Sequence, residues 1–135
     1  MSLQHLSSVL FRERHLLELL LFKLEEEELV LSAGRTRWLA HASREVETVV
    51  DELSAMELAR ASALADVGAE LGLEGEAVTL PDVVASAPVP WDGIFGEHQE
   101  VLRQLTSEVL EAVTSHRRHL REGYDVIRRA LSATR

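Results

Sequence analysis

The residues best suited to chemistry in this sequence are its six histidines, two of which share one face of a predicted helix. His116 and His119 are three residues apart, and Glu122 follows after three more, so the three side chains form one row. A zinc site needs three or four converging ligands, and the sequence has no cysteine to complete the set. The other histidines are scattered over separate segments. We therefore expect surface or boundary histidines and no metal site.

Motifs for nucleophilic catalysis or phosphate binding are also missing from the sequence. It contains no His-Glu-x-x-His, no glycine loop that cradles phosphate, and no Gly-x-Ser-x-Gly. The Gly-Ile-Phe-Gly segment at 93–96 is too short for such a loop, and Asp92 beside it would repel a phosphate. Neighbouring acids such as Asp51 and Glu52 face different directions on a helix. We therefore expect a protein that is not an enzyme and needs no cofactor.

The composition favours a helical protein of the cytoplasm. Of the 135 residues, 46% are hydrophobic, but only 4% are aromatic and three are proline, which argues against a β-sandwich or barrel. No run approaches the roughly 18 apolar residues of a membrane-spanning helix. Arg12, Glu13 and Arg14 interrupt the first apolar run, unlike a secretory signal. The absence of cysteine excludes disulfides and thiolate catalysis.

The net charge of −9 is divided unevenly along the chain. Residues 1–115 carry −13, whereas residues 116–135 carry +4, all of it from arginine. The acidic part repels nucleic-acid phosphates, and Tyr124 alone provides no stacking platform among the arginines, so we expect no nucleic-acid partner. The basic end either attracts an acidic partner, folds back on the body, or is simply a solvated helix face.

Hydrophobic spacing predicts one all-α domain over residues 1–135. The first helix, about 3–32, carries leucines at alternating steps of three and four, with Glu13 and Glu27 in the two gaps. The second, about 37–71, continues the same step, and a break of about four residues makes the two helices antiparallel neighbours. A third long helix completes the predicted three-helix bundle, with coiled-coil-like packing and a short helix in the connection.

Glycine and capping residues mark the predicted helix ends. Gly34 is expected to take the left-handed conformation that ends the first helix, and Thr36 is expected to cap the second. Residues 72–92 form a linker with one or two helical turns at about 79–85. Asp92 is the predicted cap of the third long helix, which runs over about 93–131.

Arg60 lies on the apolar stripe of the second helix, where an unpaired guanidinium would be costly. Two arrangements are compatible with this position. The side chain either extends along the seam to reach water, or pairs with Glu13 or Glu18 of the first helix. We favour the extended side chain.

The third long helix is the predicted partner-binding element. Its apolar stripe is thinner than the other two and is interrupted by His116, His119 and Gly123. Such a helix offers apolar surface to a partner helix, although it is equally compatible with a helix that only completes the bundle. The predicted partner-binding residues are Leu102, Leu105, Val109, Val113, Leu120, Tyr124, Ile127 and Leu131.

A Leu-rich helix ends in the four glutamates at 25–28, and Trp38-Leu39 follows the break. Arg60 lies late in the second helix, and Thr-Leu-Pro-Asp-Val follows at 79–83. In these features residues 3–87 resemble the FlgN-type flagellar export chaperones. The resemblance implies a cytoplasmic chaperone that masks the terminal helical segments of hook–filament junction proteins and passes them to the type III export gate. It also implies that a C-terminal amphipathic region binds the cargo.

The family often has a tyrosine near the C-terminus, followed by glycine, that is implicated in docking to the gate. Here Tyr124 is followed by Asp125 and Val126 instead. The competing hypothesis is a self-associating coiled-coil scaffold or adaptor with no flagellar role, which pairs through the unbroken 39–56 seam. The chain is expected to be a monomer or a homodimer: a stable dimer that forms without cargo favours the scaffold, and a monomer with a protease-sensitive tail favours the chaperone.

Overall fold

The chain folds into four α-helices in the ranges that the structure describes. The structure, a computed structural model, describes residues 2–73 and 77–133, and beyond Arg118 it describes only one side chain, that of Arg121. The helices are α1 (Ser2–Ser32), α2 (Thr36–Glu70), α3 (Leu80–Ser86) and α4 (Trp91–Ala133). The all-α prediction of a helical hairpin, a short connecting helix and another long helix is confirmed. Across these ranges, none of the helices is long and apolar enough to cross a bilayer.

Helix α1 is the central element, with α2 and α4 packed against it. α2 is antiparallel to α1, because Lys23 pairs with Glu45 and Glu13 pairs further along with Arg60. α4 runs parallel to α1, since successive contacts join Ser7 to His98 and Glu27 to His116. α3 lies mainly against α4 and also touches α2. The broad leucine stripe of α1 is therefore covered from two sides.

Two apolar clusters fill the interior. The larger joins the N-terminal half of α1 to the C-terminal half of α2, to α3, and to the start of α4 through Phe95 and Leu102. The smaller lies nearer the hairpin end and contains Leu20, Leu24, Val49 and Val109. Gly68 is buried on α2 beneath Val78, where a β-carbon would collide with the valine side chain. Glycine at 68 therefore lets the linker pack closely on α2.

The helix ends confirm the predicted role of Gly34 but not those of the two predicted capping residues. Gly34 has a φ of +71°, in the left-handed region that favours glycine. Thr36 is the first residue inside α2 rather than its cap, and Arg35 before it makes no side-chain capping hydrogen bond. Asp92 lies within the first turn of α4, which begins one residue earlier because the N–H of Trp91 already bonds to the carbonyl of Pro88.

Helix α3 begins with a complete capping box. The Thr79 hydroxyl accepts from the N–H of Asp82, and the Asp82 carboxylate accepts from the N–H of Thr79. These two hydrogen bonds satisfy backbone donors that a helix start leaves without partners. They also favour the ionised carboxylate, so the pKa of Asp82 lies below its ordinary value. The box explains how a helix of only seven residues keeps a defined start.

Candidate partner-binding helix

The first turns of α4 are anchored by Phe95, which is fully buried. Its ring stacks on that of Trp91 with centroids 5.7 Å apart. Both residues belong to the larger cluster, where they meet α1 and the buried Val83 of α3. This end of α4 is thus held by two other helices.

The structure places the predicted partner-binding residues in two groups. Leu102, Leu105 and Val109 are buried in the bundle, and Val113 is half-buried against the smaller cluster. The side chains of the other four lie outside the described residues: Leu120, Tyr124, Ile127 and Leu131. The first group therefore already has intramolecular partners within the bundle.

His98 is a fully buried polar group at the α1–α4 interface. Its Nδ1 lies 3.2 Å from Nη1 of Arg14, and its Nε2 lies 3.0 Å from the Ser7 hydroxyl. An arginine can only donate, so Nδ1 accepts and Nε2 carries the proton of a neutral ring. The rings of Phe11 and Phe95 flank the imidazole. Burial and, secondarily, the Arg14 charge lower the pKa of His98.

The lowered pKa of His98 predicts that acid destabilises the fold. In the unfolded chain the ring takes a proton near its ordinary pKa of 6.5, whereas the folded chain resists protonation until a lower pH. The unfolded state then binds more protons, so the free energy of unfolding decreases as pH falls through this window. His98→Gln keeps one donor and one acceptor but cannot titrate, so its stability is expected to fall less between pH 7.5 and about 5.5.

Urea unfolding at the two pH values measures this difference. His41→Gln, at an exposed position on α2, is the matched control and is expected to keep the pH dependence of the wild type. A His98→Gln variant with the full wild-type dependence would contradict the neutral assignment.

A second buried polar pair joins Glu27 of α1 to His116 of α4. The Nε2 of His116 donates to Oε1 of Glu27, and the two side chains are only 5% and 6% exposed. Among the described residues, Nδ1 of His116 has no hydrogen-bond partner. The expectation that these histidines are surface or boundary residues is therefore wrong for His98 and His116. Both lie on the face of α4 that packs on α1, where they make polar contacts within the interface.

Glu13 and Arg60 form a partly buried ion pair between α1 and α2. Nη1 of Arg60 donates to Oε2 of Glu13 across 3.3 Å. The favoured extended arrangement of Arg60 is therefore wrong, and the pairing alternative is correct. Desolvation outweighs the favourable charge of Arg60, so the pKa of Glu13 is raised. The two carboxylates in the gaps of the α1 leucine stripe, Glu13 and Glu27, thus each face a basic residue on a different helix.

No three metal-ligating side chains converge in the part of the chain whose side chains the structure describes. His119 and Glu122, which complete the histidine row of the sequence, lie outside that part. His116, the remaining member, is turned toward Glu27.

The length of α4 distinguishes it from the other helices. Ser7 and His98 are 91 residues apart in the chain, and Glu27 and His116 are 89 apart, so α1 and α4 keep a nearly constant offset. With this offset, the end of α1 at Ser32 is level with about residue 121 of α4. α4 continues to Ala133, about 18 Å further at 1.5 Å per residue. Its last turns therefore extend beyond the α1–α2 hairpin.

These features define an all-α helical bundle whose last helix extends beyond the α1–α2 hairpin. The family model described as FlgN protein matches the chain over residues 1–135. The chain belongs to the FlgN family, whose members are flagellar export chaperones. No curated protein and no solved structure matches the chain.

Proposed function

We propose that this chaperone works in the cytoplasm, where it binds the terminal helical segments of hook–filament junction proteins through the C-terminal part of α4. Binding prevents those segments from associating prematurely, and the chaperone then delivers its cargo to the type III export gate. The observation that carries the proposal is the extension of α4 beyond the hairpin. An amphipathic helix that extends past the ends of its intramolecular neighbours has a face on which a cargo helix can pack.

The sequence of the extension supports a helical cargo. Leu120, Tyr124, Ile127 and Leu131 recur at steps of four, three and four, which is the spacing of one helix face. Upstream, the same stripe packs on α1 through Leu102 and its neighbours. The cargo helix would therefore continue, along the same face of α4, the packing that α1 provides within the bundle.

Charge supports a protein partner rather than a nucleic acid. Arg117, Arg118 and Arg121 are exposed on α4, whereas residues 1–115 carry −13. The large negative body repels phosphates, and the short basic segment favours acidic side chains beside the apolar face of a cargo helix.

The scaffold alternative has less support. Its proposed seam consists of residues such as Ala42, Val49 and Met56, and all three are buried in the bundle. The seam is therefore already used within one chain. Delivery to the gate rests on family membership, and Tyr124 does not have the glycine that follows the family's docking tyrosine.

Two substitutions, one at the start of the extension and one within it, test the cargo site. Leu120→Asp and Ile127→Asp place a charge on the face expected to be buried by cargo, so each should abolish binding of the junction proteins. Helix content is expected to stay at the wild-type level. Pull-down of purified junction protein measures binding, and circular dichroism measures helix content.

The matched control is Leu58→Asp, at a leucine that is 80% exposed on α2 and lies away from the extension. It is expected to bind cargo like the wild type. Undiminished pull-down by both Leu120→Asp and Ile127→Asp would exclude the extension as the cargo site.

A further inference from the structure

Two series of side chains on α4 face the bundle, and each series repeats every seven residues. The first consists of four buried residues: Phe95, Leu102, Val109 and His116. The second begins with two buried residues and continues with a half-buried one: His98, Leu105 and Ala112. A seven-residue repeat lets one helix pack along another over many turns. Each series combines apolar side chains with one histidine.

The stripe of α1 repeats with the same period. One of its series is entirely leucine: Leu10, Leu17 and Leu24. The neighbouring series alternates leucine with glutamate: Leu6, Glu13, Leu20 and Glu27. If α4 slides by one repeat toward the start of α1, Leu102 takes the place of Phe95 and Leu105 takes that of His98. Apolar side chains then meet apolar side chains again, so apolar packing alone distinguishes poorly between the two registers.

The polar contacts between α1 and α4 are different, because they form in only one of these registers. Nε2 of His98 lies 3.0 Å from the Ser7 hydroxyl, and His116 pairs with Glu27. We call these two the register contacts. The slide by one repeat would place His116 opposite Leu20 and leave the Glu27 carboxylate without its donor. A buried polar group without a partner is costly, so the register contacts oppose the slide.

The connections between the helices leave the register of α4 to such side-chain contacts. Only three residues, 33–35, join α1 to α2, and so short a loop fixes how the two helices of a hairpin face each other. Residues 71–90, which include α3, join α2 to α4 and can adjust to a displacement of α4. The opposite slide would need helix before Trp91, where Pro88 and Pro90 disfavour it.

We propose that the register contacts set the position of α4 along α1, and with it the length by which α4 extends beyond the hairpin. Seven residues correspond to about 10 Å, so the slide would remove more than half of the extension of about 18 Å. Polar residues within apolar helix interfaces select one register in this way in coiled coils. The consequence for cargo rests on the proposed function, whereas the register itself does not.

A distance between two spin labels measures the register without cargo. The sequence has no cysteine, so Ser8→Cys and Arg118→Cys, at exposed positions of α1 and α4, provide two unique labelling sites. With the observed offset of α1 and α4, the two sites are separated by about 30 Å along the helices. The slide by one repeat would shorten this separation by about 10 Å, which pulsed electron paramagnetic resonance resolves.

Moving the Glu27 carboxylate by one repeat should move α4 with it. The background for this test is Ser7→Ala/His98→Leu, which retains the second register contact and is expected to keep the wild-type distance. In that background, the exchange Leu20→Glu/Glu27→Leu preserves composition and charge. His116 can then pair only with the carboxylate at position 20, so a single, shorter distance is expected.

Glu13→Leu/Arg60→Leu in the same background is the matched control, because it removes a pair between α1 and α2 and is expected to keep the wild-type distance. An unchanged distance in the exchange variant, or an equal change in the control, would overturn the proposal. If circular dichroism shows the exchange variant unfolded, Glu27→Leu/His116→Leu in this background decides. It leaves neither register contact and is expected to show both distances, whereas the wild-type distance alone would overturn the proposal.

Discussion

Replacing His116 by leucine is expected to lower the free energy of unfolding by about 3–5 kcal/mol, the usual cost of breaking a buried pair from one side. The substitution leaves the Glu27 carboxylate inside the α1–α4 interface without its imidazole donor. No other described side chain offers a hydrogen bond to that carboxylate. Urea unfolding monitored by circular dichroism at pH 7 measures the loss.

The double variant Glu27→Leu/His116→Leu distinguishes the loss of the pair from the cost of leaving one buried polar group without a partner. Two leucines of suitable size remove both polar groups at once, and such replacements are often neutral or stabilising by about 1–4 kcal/mol. The double variant is therefore expected to be far more stable than His116→Leu alone. The control cycle uses Glu100 and Arg103, an exposed pair on α4, for which the coupling should be close to zero. If the losses of stability in the single variants Glu27→Leu and His116→Leu add up in the double variant, the two side chains do not interact.

Phe95→Ala is the second substitution with a large expected effect. The ring is fully buried among α1, α3 and the start of α4. Its removal leaves a cavity, because the three packed helices do not move together to fill the space. Such truncations cost about 3–5 kcal/mol, a large part of the stability of a small domain. The same unfolding measurement tests this loss.

Leu110→Ala is the control for Phe95→Ala, because Leu110 is on the same helix and is 61% exposed. Its effect is expected to stay within about 0.5 kcal/mol. A loss at Phe95 no larger than that at Leu110 would contradict the position of α4 against α1 and α3.

The all-α architecture could be predicted from the sequence because the leucine steps of three and four recur over whole helices. The same pattern located Glu13 and Glu27 as carboxylates on an apolar stripe. It could not identify their partners, because a helix face does not specify the register of the helix packed against it. Arg60 was therefore compatible with two arrangements, and the structure selects the pair with Glu13.

The buried histidines show a similar limit. His98 and His116 meet partners on α1 that lie 91 and 89 residues earlier in the chain. Their surroundings depend on the parallel packing of α1 and α4, which no local pattern encodes. One signal was available for His116: it lies on the stripe of α4, as Glu27 does on that of α1. A polar residue on each of two facing stripes is a candidate buried pair.

The candidate site was predictable as a helix but not as a surface. The sequence places the apolar residues of α4 from Leu102 to Leu131 on one face, although His116, His119 and Gly123 interrupt it. The structure buries its first part against the bundle, and the extension becomes evident only from the offset between α1 and α4.

Calorimetric titration of the full chain with a purified hook–filament junction protein tests the central claim most directly. The account predicts saturable binding with a negative heat-capacity change, because apolar helix faces are buried. It also predicts that a junction protein without its terminal helical segments does not bind. Absence of binding to the intact junction protein, or equal binding of the shortened one, would contradict the account.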